Sequence, residues 1–451
     1  MDTGPKYLKH MNKTIIPAEI VDQILRESHL ELSNATIRET KKLVDLIEAA
    51  SGVSFVRMEM GIPGLPANQI GVEAEIKALK KGVASKYPNI NGIDVLKEES
   101  VKFIKNFMNI DISPAGCVPT VGSMQASFTA FMTVNKRKEG QDVTLLIDPG
   151  FPVHKQQLNI LGLKHKSFDI YDFRGEKLEE KLRSYLEQGD ISCMLYSNPN
   201  NPSWICFTEE ELGIIGRLAT EYDVVVLEDL AYFGMDFRQD LSRPGEPPFQ
   251  STVAHYTDNW ILLISSSKVF SYAGQRMGLL AISDALYQQQ TDHLGKYYST
   301  KEFGHSLVYG TLYALSAGTS HSAQYALAAM FKAANEGRYN LVEGVRAYEK
   351  KARRMKQIFL SNGFDIVYAH DGDRPIADGF YFTVSYPGLS GDKLLKSLLY
   401  FGVSAISLRI TGSTREEGIR ACVSLIQEAQ FPELERRLEA FHTYHQQPIG
   451  I

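Results

Sequence analysis

The sequence predicts an α/β fold: a mostly parallel sheet with helices on both faces, plus a smaller α+β domain. Three observations lead to this prediction. The 451 residues exceed the length at which one hydrophobic core keeps growing, which favours two domains. Short apolar runs alternate with helical patterns in the middle of the chain. The last hundred residues or so instead combine helical patterns with isolated strands.

The predicted strands of the large domain are continuous apolar runs. Their Val, Ile and Leu content is typical of strands that are buried on both faces. Between two of these runs, Thr208 is a predicted N-cap and Glu211 completes a capping box for a helix over 208–223. The four strand segments are DVTLLIDPG (142–150), ISCMLYSNP (191–199), DVVVLED (223–229) and NWILLISSS (259–267).

The C-terminal part has a different pattern. Residues 335–364 predict one long amphipathic helix ending at Asn362-Gly363, a common C-cap pair. A strand at FYFTVSYPG, a helix from about 391 to 399, a strand at GVSAISLRI and a last helical stretch follow it. We therefore predict a large domain of residues 55–330. The small domain would combine residues 1–54 with 331–451, the N-terminal segment packing against the C-terminal block.

Composition narrows the class of protein. Hydrophobic residues make up 44% and charged residues 22%, as in ordinary globular proteins. The 48 Lys and Arg against 53 Asp and Glu give a net charge of -5, which offers no basic surface for nucleic acid. No apolar run suits a secretory signal or a membrane helix, so we expect a cytoplasmic protein without membrane contact. Four widely spaced cysteines favour neither a disulfide framework nor a metal site.

A lysine at a strand end is the most informative single residue. Lys268 follows Ser-Ser-Ser after an apolar strand, where an ammonium is costly unless it is paired or deprotonated. A lysine of lowered pKa is what Schiff-base chemistry uses. Arg276 follows eight residues later between two glycines, and with the hydroxyls of Ser265 and Ser267 it would suit a phosphate. The alternative is a serine-rich turn with an incidental arginine.

Two further positions fit the same chemistry. Gly122-Ser123 begins a predicted helix, whose free N–H groups and dipole form an anion site. Asp229 ends the VVVLED strand and could pair with a protonated pyridine nitrogen, which a pyridoxal electron sink requires. Each residue also has an ordinary interpretation, a helix start for the first and a helix cap for the second.

Taken together in chain order, these segments resemble the class I/II aminotransferases, members of the fold-type I group of pyridoxal 5'-phosphate (PLP) enzymes. The resemblance implies a mostly parallel, seven-stranded-type sheet with helices on both faces. The resemblance covers roughly residues 55 to 430, and Ser-x-x-Lys with Arg eight residues on is its most specific part. The motifs are K-Y-P-N-I-N-G-I-D-V-L (86–96), S-N-P-N-N-P-S (197–203), E-D-L-A-Y (228–232) and S-S-S-K-V-F-S-Y-A-G-Q-R-M-G (265–278).

The resemblance implies a PLP site and assigns its residues. Lys268 would carry the cofactor as a Schiff base, and Asp229 would bind the pyridine nitrogen. Asn201 and Tyr232 would hydrogen-bond the ring's 3'-oxygen, and Phe151 would stack on the ring. Lys268, Asp229 and Tyr232 form the predicted catalytic set. The predicted phosphate site consists of Ser265, Ser267, Arg276 and the turn Gly122-Ser123-Met124.

The resemblance also implies a shared site and a substrate clamp. Tyr87 matches a tyrosine that a neighbouring subunit extends to the phosphate, which predicts a homodimer. Arg420 matches the arginine that binds the substrate α-carboxylate, a role suited to the bidentate guanidinium fork; Arg409 is a competing candidate. Gly61-Ile62 resembles the start of an N-terminal loop that reaches over the substrate.

Two positions depart from the family pattern. The family usually has Asn-Pro-Thr-Gly where this chain has Asn-Pro-Ser-Trp, ending at Trp204. Because positive φ is costly for tryptophan, we expect a differently shaped turn and an indole that narrows the pocket. Phe151 lacks the hydroxyl of the tyrosine common at its place.

The resemblance implies an aminotransferase that moves an amino group from an L-amino acid to a 2-oxo acid with ping-pong kinetics. The freed Lys268 amine would act as general base at the substrate Cα. A Cβ–S lyase on the same scaffold is the first alternative, since scaffold and function are separable. A PLP-binding module of a regulator is the second, but the fifty residues before the matched region lack a basic helix-turn-helix pattern. The sequence does not reveal the substrate side chain.

Overall fold

The structure is a computed structural model that describes residues 14–446. The α-helices are α1 (Ala18–Ser28), α2 (Ile37–Ser51), α3 (Gln69–Lys80), α4 (Asp94–Met108), α5 (Gly122–Val134), α6 (Pro152–Ile160), α7 (Glu176–Leu186), α8 (Glu209–Glu221), α9 (Ser266–Val269), α10 (Asp284–Gln288), α11 (Phe303–His305), α12 (Tyr313–Ser316), α13 (His321–Asn335), α14 (Ala347–Ser361), α15 (Gly391–Tyr400) and α16 (Phe431–Gln446). The strands are β1 (Val56–Arg57), β2 (Cys117–Val121), β3 (Val143–Asp148), β4 (Lys164–Asp169), β5 (Ile191–Ser197), β6 (Val225–Leu230), β7 (Trp260–Ser265), β8 (Met277–Ile282), β9 (Asp365–Ile366), β10 (His370–Asp371), β11 (Arg374–Pro375), β12 (Tyr381–Ser385), β13 (Val403–Ser404), β14 (Ile406–Ser407) and β15 (Ile419–Cys422). Short 3-10 turns and one π-helical segment, Ser306–Leu312, lie between them.

Seven strands form one large sheet in the order β2-β8-β7-β6-β5-β3-β4. Strands β3 to β7 run parallel, and β8 runs antiparallel to both of its neighbours. The carboxyl ends of the parallel strands therefore meet at one edge, and β8 begins at that same edge. The predicted mostly parallel sheet and its four sequence-derived strands are confirmed.

Helices cover this sheet on both faces. Every residue of β3, β5, β6, β7 and β8 is buried, although successive side chains in a strand point to opposite faces. On one face, α5 contributes Ala130 and Phe131 to a core with Leu195, Leu227 and Leu263. The apolar runs without alternation are thus explained by two covered faces. The predicted capping box of α8 is present, with Thr208 accepting from the Glu211 N–H.

A smaller set of elements forms an α+β block. Its antiparallel sheet has the order β14-β15-β12-β9, and β1 pairs with β13 in parallel. Helices α1 and α2 pack here, as Val21, Leu43 and Val44 share a core with Leu399 of α15. The N-terminal segment therefore packs against the C-terminal block, as the sequence predicts.

The long helix predicted over 335–364 is wrong. Helix α13 ends at Asn335 and α14 begins at Ala347. Gly337 takes φ 67°, and the N–H groups of Arg338 and Tyr339 donate back to the Ala333 carbonyl, which closes the end of α13. The apolar spacing continues through the break, so periodicity alone could not reveal it. The predicted end at Asn362-Gly363 agrees with α14, since Gly363 takes φ 79°.

The described chain divides into two compact units. One contains residues up to 64, 348–369 and 378 onward; the other contains residues 65–347 and 370–377. The division into a large domain of residues 55–330 and a small domain of residues 1–54 with 331–451 stays a prediction. Between residues 14 and 446, no helix combines the length and apolar composition needed to cross a bilayer. That same stretch brings together no group of three or more His, Cys, Asp or Glu side chains able to hold a metal ion.

Candidate active site

The predicted cofactor residues of the large unit gather at the carboxyl edge of its sheet. Asp229 lies near the end of β6, where it pairs with Ser197, the last residue of β5. Ser265 ends β7 and is the N-cap of α9, which carries Lys268. Because these strands are parallel neighbours, residues distant in sequence meet here. Lys268 is half-buried.

The predicted phosphate site is built around close backbone approaches. Gly122 begins α5 with φ 66°, and a Cβ there would lie 2.5 Å from Arg276 Nη2. A Cβ at Gly278 would lie 2.9 Å from the Ser123 nitrogen. Glycine at both positions lets the arginine and strand β8 come close to the first turn of α5. The arrangement joins a helix N-terminus to a guanidinium, which suits a phosphate.

The serine hydroxyls complete this region. Ser265 Oγ accepts from the Ser267 N–H at 3.1 Å, and Arg276 Nη1 approaches Ser267 Oγ at 3.5 Å. In the sheet, Ser265 pairs with Gly278, which pairs with Thr120 just before the start of α5. Arg276 Nη1 also donates to the Ala273 carbonyl at 3.0 Å, and no acidic side chain among the described residues lies at ion-pair distance from this guanidinium, so its charge suits an anion. Met124, the last member of the predicted turn, lies in the first turn of α5.

Asp229 is a buried carboxyl in an apolar setting. Burial raises its pKa to about 7, against a smaller opposing effect of the hydrogen bond from the Ala231 N–H. His154 Nε2 lies 3.6 Å from Asp229 Oδ2, and burial lowers the pKa of His154 to about 4. The imidazole is therefore uncharged near neutral pH. An ionised Asp229 would gain strongly from a cationic partner, such as a protonated pyridine nitrogen.

His154 is the residue that sequence reasoning missed. It lies in α6, three residues after Phe151, and a lone histidine on a helix gives no local signal of function. Phe151 is the N-cap residue of α6 and half-buried, and its ring meets the His154 ring edge-on with centroids 5.6 Å apart. The structure thus places Phe151 beside the Asp229–His154 pair.

The turn after β5 carries Asn201. Its Oδ1 atom is buried and has no hydrogen-bond partner among the described residues, which is costly for a polar atom. The Asn201 N–H donates to Ser197 Oγ at 3.1 Å, which fixes its backbone at the sheet edge. The NH2 group of the same side chain is the donor that a ligand oxygen would require.

The expectation that Trp204 reshapes this turn is wrong. Trp204 takes φ 65°, the conformation that favours glycine, so the backbone turn is kept despite the larger side chain. The indole is 0% exposed, and the expectation that it narrows the pocket stays a prediction. It packs against Tyr232, with ring centroids 5.3 Å apart and planes inclined by 65°. Tyr232 is buried as well.

The predicted substrate residues lie in the smaller unit. Arg420 is 1% exposed; its Nη2 donates to the Glu59 carbonyl at 2.6 Å, and its Nε has no partner among the described residues. Its guanidinium lies over the Tyr381 ring at 4.5 Å. Arg409, the competing candidate, is exposed and lies 3.8 Å from Glu416. A buried guanidinium with unused donors is the better carboxylate receptor.

Gly61 and Ile62 lie in the same unit as Arg420. A Cβ at Gly61 would lie 2.0 Å from the Tyr381 hydroxyl, so glycine is required for this contact, and Ile62 is exposed. Tyr381, which the sequence analysis did not single out, therefore contacts both predicted substrate elements. Tyr87 belongs to the large unit and is 94% exposed; within the single chain it does not join the cofactor residues.

The residues of the large unit fit PLP. A buried carboxyl without a charged partner, an asparagine amide in the turn after β5, a half-buried lysine and a glycine-lined phosphate turn match the four polar features of that cofactor: the pyridine nitrogen, the 3'-oxygen, the aldehyde and the phosphate. These are features of this chain alone, and they agree with the roles that the family resemblance implies.

Comparisons with known proteins point the same way. The family model described as "Aminotransferase class I and II" matches residues 64–438. A probable aspartate aminotransferase of Methanocaldococcus jannaschii is 24% identical over 52% of this chain and 58% of its own length. A putative aminotransferase of Bacillus subtilis, YugH, is 24% identical over 80% of this chain and 83% of its own length. The chain thus spans only about half to two thirds of the length of several curated relatives.

Solved structures show the same fold. Aspartate aminotransferase from Thermus thermophilus with maleate superposes with a TM-score of 0.73 and 17% identity, over 92% of this chain and 98% of that one. Alanine aminotransferase from Pyrococcus furiosus superposes with a TM-score of 0.73 and 19% identity, also over 92% of this chain and 98% of that one. With a family model that matches most of its length, the chain belongs to the aminotransferase class I and II family.

Proposed function

We propose that the protein is a PLP-dependent aminotransferase that moves the amino group of an L-amino acid to a 2-oxo acid with ping-pong kinetics. The observation that carries the proposal is the buried Asp229 carboxyl at the sheet edge that also holds Lys268. Aspartate, alanine and aromatic amino acid aminotransferases among the relatives and neighbours are consistent with this reaction class.

The residues of the large unit would hold the cofactor. Lys268 would bind its aldehyde covalently, and Asp229 would bind the pyridine nitrogen. Asn201 and Tyr232 would donate hydrogen bonds to the 3'-oxygen, and Phe151 would stack on the ring. The proposed phosphate ligands are Ser265, Ser267, Arg276 and the N–H groups of Gly122, Ser123 and Met124.

When bound, PLP supplies an electron sink that stabilises negative charge at the substrate Cα. The Lys268 amine would take the substrate Cα proton and would then donate it to the carbon that carried the cofactor's aldehyde. Asp229 would hold the ring nitrogen in its protonated form, because a buried carboxylate is stabilised by a cationic neighbour. His154 would keep the Asp229 carboxylate oriented without adding charge.

Arg420 would bind the substrate α-carboxylate. Its burial, its backbone anchor on Glu59 and its contact with the Tyr381 ring hold the guanidinium in one orientation. A bidentate guanidinium–carboxylate pair fixes direction as well as charge. Gly61 and Ile62 would contribute the start of a loop over the substrate.

We further propose a homodimer in which Tyr87 reaches the phosphate site of the partner. The proposal rests on the position of Tyr87 in the family motif and is supported by the 94% exposure of its side chain in the single chain, which leaves the phenol accessible to a partner. The cytoplasmic location predicted from the sequence stays a prediction.

A half-reaction assay tests the proposal. Purified protein is loaded with PLP and mixed with single amino acids, and the visible band is followed as it converts to that of pyridoxamine phosphate. We expect conversion in wild type, loss of conversion in Lys268→Ala, and normal conversion in Lys177→Ala, an exposed lysine on α7. The band should return when a 2-oxo acid is added.

The same assay separates the alternative reactions. Sustained release of pyruvate and ammonia without any 2-oxo acid acceptor would identify a Cβ–S lyase instead. A coloured protein that converts no amino acid would favour a binding module. Normal conversion in Lys268→Ala would reject the role given to that lysine.

A further inference from the structure

Trp204 is a backbone outlier with the largest side chain available. It takes φ 65°, a region that L-residues with large side chains rarely occupy. Such strain persists only where the surrounding structure holds the residue in place, and it is concentrated at functional sites. Glycine would adopt the same backbone without cost. The backbone therefore gives no reason for tryptophan, and the reason must lie with the indole.

The backbone of Trp204 closes the turn that carries Asn201. The Trp204 N–H donates to the Asn200 carbonyl at 3.0 Å, and the Asn200 N–H donates to the Ile205 carbonyl at 2.9 Å. Inside this turn, Asn200 Oδ1 accepts from Ser203 Oγ at 2.7 Å. The Asn200 amide also donates to the Pro149 carbonyl at 2.8 Å, which ties the turn to the loop after β3. Asn201 thus lies on a closely tied segment.

The indole of Trp204 is directed at the other predicted ligand of the same cofactor atom. It is fully buried and packs edge to face against Tyr232 at 5.3 Å. Aromatic pairs in this geometry are favourable beyond the area they bury. One residue therefore contacts one of the two groups proposed to bind the 3'-oxygen and closes the turn that holds the other.

We propose that Trp204 is a positioning residue that fixes the Tyr232 ring and the Asn201 turn for the 3'-oxygen of PLP. This inference rests on the proposed function, and it concerns a residue at which the chain departs from the usual Asn-Pro-Thr-Gly of its family. The tryptophan replaces a flexible turn position with a rigid packing partner for the phenol.

The test uses Trp204→Gly, because glycine keeps the φ of the turn while it removes the indole. The visible band of the PLP-loaded protein is titrated with pH. A phenol that donates a hydrogen bond to the 3'-oxygen stabilises negative charge on that oxygen. It therefore lowers the pH at which half of the visible band has changed, which we call the midpoint. We expect the midpoint of Trp204→Gly to rise by about one pH unit, the size of one lost hydrogen bond. Trp204→Phe, which keeps part of the ring, should give a smaller rise.

A double-mutant cycle with Tyr232→Phe shows whether Trp204 acts through that tyrosine. Adding Trp204→Gly to Tyr232→Phe should move the midpoint no further than Tyr232→Phe alone. The matched control is Trp260→Phe, which alters the other tryptophan, at the amino end of β7, and should leave the midpoint unchanged.

Two results would overturn the proposal. If Trp204→Gly lowered the melting temperature but left the midpoint unchanged, the indole would contribute to core packing and would not position the cofactor ligands. Fully additive shifts in the cycle would show that it does not act through Tyr232. A wild-type protein that gives no visible band with PLP would instead reject the proposed function, and the inference with it.

Discussion

His154 Nε2 lies 3.6 Å from Asp229 Oδ2 with both side chains buried. It is the one basic side chain that the described residues place at ion-pair distance from this carboxylate. Burial lowers the pKa of His154 to about 4, so near neutral pH the imidazole lies beside Asp229 without carrying a positive charge. The pair leaves a carboxylate that would be stabilised by a cation supplied by a ligand.

Because Asp229 is buried, the stability of the cofactor-free protein should depend on pH. Burial raises the pKa of Asp229 from 3.8 to about 7, so the folded state holds this proton more tightly than the unfolded state. Its contribution to stability is present below about pH 4 and is lost as the pH rises toward 7. At pH 8 the cofactor-free Asp229→Asn variant should therefore melt about 2–4 °C above wild type. Thermal unfolding measures this difference.

The same variant should respond less to the cofactor. PLP should raise the melting temperature of wild type more than that of Asp229→Asn, since only the carboxylate gains a cationic partner. Glu228→Gln alters the preceding buried carboxyl, which accepts from the Val253 N–H at 3.1 Å, and should keep the wild-type response. Equal PLP-induced shifts in wild type and Asp229→Asn would contradict the role of Asp229.

The close approach of Gly278 to the turn Gly122-Ser123-Met124 leads to a prediction about PLP binding. A methyl group there would lie 2.8 Å from the Gly122 carbonyl carbon and 2.9 Å from the Ser123 nitrogen, atoms of the backbone that cannot move aside freely. Gly278→Ala should weaken PLP binding about tenfold or more, which corresponds to about 1.4 kcal/mol. Gly274→Ala is the control, because nothing lies within 4 Å of its added methyl group. If a PLP titration gave the same affinity for Gly278→Ala and wild type, this turn would not form part of the cofactor site.

Arg420 and Arg409 give a matched pair for the carboxylate. Lysine keeps the charge at either position but loses the guanidinium fork. Arg420→Lys should raise KM for the amino acid about 30-fold, the effect of losing about 2 kcal/mol from a charged hydrogen bond. Arg409→Lys should change KM little. The reverse order of effects in steady-state kinetics would transfer the carboxylate role to Arg409.

The backbone strain at Trp204 predicts that the glycine variant of this residue is more stable than the alanine variant. Removing the buried indole should cost about 3–5 kcal/mol in the free energy of unfolding. Glycine recovers about 1–2 kcal/mol of that by relieving the positive φ, whereas alanine does not. Trp204→Gly should therefore be more stable than Trp204→Ala in urea unfolding, opposite to the usual preference. A more stable alanine variant would mean that the backbone is not strained in solution.

Much of the fold could be predicted because the informative patterns are local. Unbroken apolar runs identified the buried parallel strands, and Thr208 with Glu211 identified a helix start. The end of α13 could not be predicted, since the apolar spacing runs on past Gly337 and only the hydrogen bonds to Ala333 show that the helix closes. The spacing of apolar residues indicates which face of a helix is buried, but it does not indicate where the helix ends.

The site divides in the same way. Lys268, Asp229 and Arg276 follow strands or lie in recognisable motifs, so the sequence could propose them. His154 and Tyr381 acquire their meaning only from distant neighbours, Asp229 and Arg420, and have no local signature. The backbone of Trp204 was predicted wrongly because the general cost of positive φ was taken as decisive. Burial of the indole against Tyr232 shows a packing gain that offsets this cost.

The proposed site depends on a covalent bond between Lys268 and the cofactor, and borohydride trapping detects that bond. Reduction of the PLP-loaded protein should abolish the visible band and leave one pyridoxyl group, which peptide mass mapping should locate on Lys268. Lys97, a buried lysine held by the Pro114 carbonyl at 2.7 Å, should stay unmodified and serves as an internal control. A label on any other lysine, or a band that survives reduction, would contradict the account.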